Sequence, residues 1–142
     1  MSQENKIAEG FGMPWEDIFG YAQAVKKGNT VWISGQLGHN DKGELAEGME
    51  GQMKQTYSNI KELLSRYDMT MENVVEEVIY AMDMATAFEA RKNFKTEFYN
   101  NPKTVASTMV GVSGLALPGQ LVEIKIILSP VRFIKLAILR LN

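Results

Sequence analysis

The stretch from Val105 to Leu128, VASTMVGVSGLALPGQLVEIKIIL, constrains the fold more than any other part of the chain. It reads as two antiparallel strands joined by a Gly/Pro turn, and successive strand residues point to opposite faces. On that reading Thr108, Val110 and Val112 share one side, matched by Val122, Ile124, Ile126 and Leu128, and these rows are the expected core. Ser107, Met109 and Gly111 then share the other side with Leu121, Glu123, Lys125 and Ile127. A hydroxyl and a carboxylate are therefore expected on one sheet face, beside small and apolar neighbours.

The rest of the chain supplies partners for this sheet. Residues 1 to 18 are polar and glycine-containing, with Met13-Pro14-Trp15 as the only packing element and no assigned role. Tyr21 to Lys26, a Gly28-Asn29 turn and Thr30 to Ser34 read as a hairpin. A polar loop from Gly38 to Gly48 follows and holds His39, expected at the surface. Met49, Met53, Tyr57, Ile60, Leu63, Leu64 and Tyr67 recur at helical spacing, with Lys54, Asn59, Lys61, Glu62 and Arg66 on the opposite side. Val74 to Met82 is apolar on both alternating sets, as an interior strand should be. Thr86-Ala87-Phe88-Glu89 has the form of a capping box opening a second helix, which buries Ala87, Ala90, Phe94 and Phe98 and runs to Asn100-Asn101-Pro102.

The order is β-β-α-β-α-β-β, an α+β pattern of a mixed sheet with two helices on one face. The other face would bear Tyr80 or Ile79, Met109, Leu121 and Ile127, an apolar patch that monomers rarely leave in water. Self-association is the economical cover. The tail, residues 130 to 142, is apolar with interspersed basic residues and reads as an added strand, a packing helix or a non-native extension.

Composition narrows the chemistry. With no cysteine and only one histidine among 142 residues, thiolate chemistry is excluded and any metal site would depend on carboxylates, so no metal or cofactor is expected. A net charge of -2, with no basic stripe, lacks the footprint of a nucleic-acid binder. The start, MSQENKIAEG, is not a signal peptide, and no apolar run reaches the ~20 residues that span a bilayer, so a soluble, cytoplasmic protein is expected.

Three blocks resemble the RidA/YjgF/L-PSP family of reactive-intermediate deaminases. Tyr21-Ala22-Gln23-Ala24-Val25 is similar to its Y-S-Q-A-V, and Gly28 to Gln36 to its G-N-T-V-Y-V-S-G-Q. Val105 to Val112, Leu117-Pro118-Gly119 and Val122-Glu123-Ile124-Lys125 resemble its P-A-R-S-x-V-x-V, its L-P turn and its V-E-I-E. The likeness spans about Gly20 to Ser129, which sets a domain at 19–129 between an N-terminal segment, 1–18, and a C-terminal extension, 130–142. It implies a homotrimer whose sheets face inward, with small-metabolite clefts between subunits, and hydrolysis of an imine or enamine without a cofactor. It also implies that Glu123 positions a water, that Tyr21 packs on the ligand, and that Ser34, Gly35 and the backbone of Met109 line the cleft. An Asn of the family's second helix corresponds to Lys92.

The departure is at Ser107, where the family has the arginine that grips a substrate carboxylate. One neutral hydroxyl does not replace a guanidinium's parallel donors. Glu123 also has a plain alternative as an interface salt bridge with Lys125 or a neighbour's lysine, and Lys92 as a solvated helix residue. Three functions follow: a hydrolase of an atypical imine, a non-catalytic binding or assembly protein, and the endoribonuclease role associated with some members, disfavoured by the acidic composition.

Overall fold

The computed structural model describes residues 5–129. In chain order these form β1 (Ile7–Glu9), α1 (Pro14–Phe19), β2 (Ala24–Lys27), β3 (Thr30–Gln36), α2 (Gly48–Ser65), β4 (Val74–Ala81), α3 (Met84–Phe94), β5 (Ala106–Gly111) and β6 (Val122–Leu128). The strands make one mixed sheet in the order β1-β2-β3-β6-β4-β5, parallel only between β4 and β5. The architecture is the expected α+β one, with α2 and α3 packed together against the sheet. The segment without an assigned role adds β1 to the sheet edge and α1 beside it.

Helix α2 forms because its apolar residues recur every three to four positions. Its Met53, Tyr57, Ile60, Leu63 and Leu64 are buried on Val31, Ile33, Val122, Ile124, Ile126 and Leu128. Each fully buried aliphatic side chain stabilises the fold by roughly 1.5–3 kcal/mol before chain entropy is subtracted. Asn59, expected on the solvent side of this helix, is buried instead. Its Nδ2 donates to the carbonyls of Leu37 and His39, both at 3.0 Å, tying the 37–48 loop down. His39, expected at the surface, is consequently 3% exposed, edge-on to Phe11 and Trp15.

The expected hairpin between the last two strands does not form. Strand β6 inserts between β3 and β4, while β5 lies beyond β4 and runs parallel to it. A parallel pair needs a crossover, and α3 supplies it. The connection from Val112 to Leu121 is therefore a bridge across β4 and not a turn.

This rearrangement changes the faces. Parallel pairing sets Ser107 beside Glu77 and Met109 beside Ile79, so both turn toward the helices. Val110, expected in the core, is 37% exposed on the opposite face. Met109 and Leu121, expected on the open face, pack against the core. A register shift between Val74 and Glu76 puts Val74 on the same side as Glu77, Ile79 and Ala81, rather than with Val78 and Tyr80. The second helix also begins earlier than the expected capping box. Asp83, directly after β4, caps it by accepting the Thr86 N–H at 3.0 Å, and the helix ends at Phe94 rather than near Asn100.

Candidate functional site

Glu123 stands on the uncovered face of β6, paired across the ladder with Tyr80, which in turn faces Val110. On its other side β3 carries a bulge, since Ile33 pairs with Ile126 and Gln36 with Ile124, leaving Ser34 and Gly35 opposite Lys125. The Glu123 carboxylate lies over Gly35, where a Cβ would fall 2.6 Å from its Cδ. Gln120, 3% exposed, fixes that carboxylate by donating from Nε2 to Oε1 at 3.3 Å. The loop leading to Glu123 is itself clamped by Gln52 of α2, which donates to Gly119 O at 3.0 Å and accepts Leu121 N–H at 2.8 Å.

Tyr21 lies in the electrostatic range of Glu123. Burial raises its hydroxyl above the ordinary tyrosine value, Gln23 partly offsets this, and the negative charges of Glu16 and Glu123 add to the rise. At neutral pH Tyr21 is thus a donor. Ser34 donates from Oγ to Ala22 O at 2.7 Å, joining the bulge to the segment that carries Tyr21.

Beneath this surface runs a polar chain. Gln36 Nε2 donates to Gln23 Oε1 at 2.7 Å, and Gln23 Nε2 donates to Glu16 Oε2 at 3.1 Å. Burial alone would raise Glu16, but hydrogen bonds from Phe11 N–H, Gln23 and Met13 N–H outweigh it and hold the carboxyl below its ordinary value. The chain fixes α1 and Tyr21 relative to β3.

The structure therefore brings Glu123, Ser34 and Gly35 together with Tyr21 in electrostatic reach, and it places the other expected residues elsewhere. Ser107 and Met109 lie on the helix-covered face of the edge strand. Lys92 is exposed on α3, 3.5 Å from Glu89. Ser107 donates from Oγ to Glu77 Oε2 at 2.6 Å. Glu77 is 0% exposed and also accepts Arg91 Nε at 2.8 Å and the hydroxyls of Tyr57 and Tyr99, both at 2.7 Å. Burial, together with the charge of Glu77, pushes both tyrosines well above their ordinary range.

Glu16, Gln120, Glu77 and Arg91 escaped the sequence reading. Gln23 and Gln36 lay inside recognised blocks, where a glutamine at a core-facing strand position was the available signal. Glu77 was readable as an acidic residue at a core-facing position only once the register of β4 was known. Among the described residues no group of His, Cys, Asp and Glu is arranged to hold a metal, and no helix is long and apolar enough to cross a membrane. What the Glu123 cluster offers chemically is a fixed carboxylate that can orient or deprotonate a water, with the neutral Tyr21 phenol within its electrostatic reach.

Residues 15–129 match the family model described as Endoribonuclease L-PSP. The chain is 33% identical over 108 residues to a RutC family protein of Aquifex aeolicus, covering 75% of this chain and 86% of that one. It is also 33% identical over 118 residues to the 2-iminobutanoate/2-iminopropanoate deaminase of Mus musculus, covering 81% and 84%. Among solved structures, RidA from an Antarctic Psychrobacter is similar at 34% identity and TM-score 0.67, covering 78% of this chain and 89% of that one. A YjgF/YER057c/UK114 family member from Mycobacterium tuberculosis shares the fold at TM-score 0.78 and 23% identity, covering 89% and 100%. The matched span includes every residue of the Glu123 cluster and of the Glu77 cluster, and the chain belongs to the RidA/YjgF/L-PSP family.

Proposed function

We propose that the protein is a cytoplasmic homotrimer that binds a small metabolite between subunits and hydrolyses an imine or enamine. The observation that carries this reading is the Glu123 carboxylate, held by Gln120 over the bare Gly35. Glu123 takes a proton from water as the oxygen adds to the carbon of the C=N bond. The proton passes to nitrogen, the carbinolamine collapses, and ammonia leaves with the carbonyl product behind. A positioned carboxylate contributes about 10²–10⁴-fold to such a step.

The open face supports assembly. Trp32, Val110, Val78, Tyr80 and Ile127 lie on it, with Trp32 41% exposed, and a second copy would remove this surface from water. Relatives named as iminobutanoate deaminases make an imine the substrate class of first choice. Ser107, in place of the family arginine, means that recognition does not run through that strand position. The test is ammonia release from a panel of freshly generated imines. Turnover by the wild type well above a Glu123→Ala control is expected, and equal rates would remove the enzymatic reading in favour of a binding or assembly role.

A further inference from the structure

Lys125 stands on the open face of β6, next after Glu123 in the row of side chains that share that face. Two residues of strand separate their Cα atoms by about 6.6 Å, within the span of a lysine side chain. Lys125 is exposed, and among the described residues it makes no hydrogen bond and no ion pair. The ion pair that Glu123 could have made with it does not form, because the carboxylate turns over Gly35 and accepts from Gln120. The neighbours of Lys125 on this face are apolar. Val78 pairs with it from β4, Ile127 follows it in the row, and Trp32 faces Ile127 from β3. On its β3 side lies the bulge at Ser34 and Gly35, the same bulge over which the Glu123 carboxylate sits.

A lysine attacks carbon as the free amine, which apolar surroundings favour, and the carbon of a C=N or C=O bond is its usual target. No cysteine competes for such a role, and the Ser34 hydroxyl is committed to Ala22 O at 2.7 Å. The motif that this strand resembles ends in glutamate where Lys125 stands, so the amine belongs to this chain and not to the likeness. We propose that Lys125 is the covalent nucleophile of the Glu123 site, exchanging the imine nitrogen for its own before water acts. Its amine adds to the carbon of the C=N bond, both amine protons pass to the substrate nitrogen, and ammonia leaves with the C=N bond now held by Nζ. Glu123 then directs water to that carbon. The C–Nζ bond breaks, both protons of the water restore the amine, and the carbonyl product departs. This inference rests on the hydrolase reading above and adds the intermediate through which it runs. It also admits uncharged ketimines as substrates, since a bond to the carbon needs no carboxylate on the guest.

The test treats the wild-type chain with 2-butanone and cyanoborohydride, which fixes a lysine Schiff base as a butyl amine, and follows every lysine by peptide mass spectrometry. Lys125 is expected to be labelled about tenfold or more faster than Lys54 and Lys92, exposed lysines that each keep a carboxylate partner. Labelling no faster than theirs overturns the proposal. Lys125→Arg and Lys125→Met should each lower imine turnover by about tenfold or more with an unchanged circular dichroism spectrum, an equal loss with and without the cation. Turnover that survives Lys125→Met yet falls in Glu123→Ala overturns the nucleophile and leaves the hydrolase reading standing.

The Glu123→Gln variant separates the two steps. It keeps the amine and loses the base, so a fresh imine should release one ammonia per chain in a burst and then stop, with the mass of the chain raised by the trapped imine. Adding Lys125→Met should abolish the burst. No burst in Glu123→Gln, whether release is steady or absent, overturns the proposal. Selective labelling of Lys125 in a wild-type chain that turns over no imine would sink the hydrolase reading alone and leave Lys125 as the nucleophile of the site.

Discussion

The carboxylate of Glu123 occupies the space that a side chain on residue 35 would fill. A Cβ on Gly35 would stand 2.6 Å from Glu123 Cδ and 2.8 Å from its Cγ, well inside carbon contact distance. The β3 bulge, which turns residue 35 toward β6, and the missing side chain there together set where the Glu123 carboxylate lies.

Gly35→Ala is accordingly expected to act on chemistry more than on folding. The Glu123 side chain can swing outward at a cost of about 1–3 kcal/mol, the usual range for overpacking. It then leaves Gln120, and imine turnover should fall by about tenfold or more while the circular dichroism spectrum is unchanged. Steady-state kinetics of the variant check this. Wild-type turnover with an alanine at 35 would show that the Gly35 contact has no bearing on the site.

Alkaline stability should be governed by the Glu77 cluster. Tyr57 and Tyr99 have hydroxyls raised above the ordinary tyrosine value of 10.0, so the unfolded chain loses these protons first. Their contribution is fully present below pH 10 and is lost as pH rises beyond it. Thermal melts from pH 8 to pH 11 should show a steep fall above pH 10. Tyr99→Phe should flatten the fall and cost about 1–3 kcal/mol at pH 8, because Glu77 loses one of four donors.

Glu16 gives the opposite limb. Its carboxyl is held below the ordinary 4.5, so its contribution is present above that pH and is lost as pH falls through the folded-state value. Melts between pH 3 and pH 6 should show that Glu16→Gln lowers stability near pH 6 and narrows the gap to wild type at pH 3. A constant gap across that range would mean that the Phe11, Met13 and Gln23 hydrogen bonds do not depend on its charge.

Much of this was legible before the structure. The buried stripe of α2, the strand alternation of β6 and the Gly28-Asn29 turn each depend on local periodicity or on one turn, and the chain states these directly. Glu123, Tyr21, Ser34 and Gly35 were legible because they fall in blocks that also carry the family likeness. The position of Ser107 away from Glu123 is not legible, because strands consecutive in sequence need not be neighbours in space and no local pattern reveals that β6 slips between β3 and β4. His39 looked solvent-exposed in its Gly/Asn/Asp loop, since burial there comes from Asn59 and Trp15, each distant in sequence. Glu77 and Arg91 carry no local signal, because a buried ion pair is visible only when both partners are located.

A pocket at Glu123 exists only if the open face is covered, and the mass of the protein in dilute solution addresses this most directly. Light scattering at low micromolar concentration should give three chains for the wild type, with Trp32 shielded from a neutral quencher. Val110→Lys, which places a charge on that face, should shift the mass toward one chain without unfolding it. A wild-type protein of single-chain mass, with Trp32 quenched as freely as a solvated indole, would contradict the account.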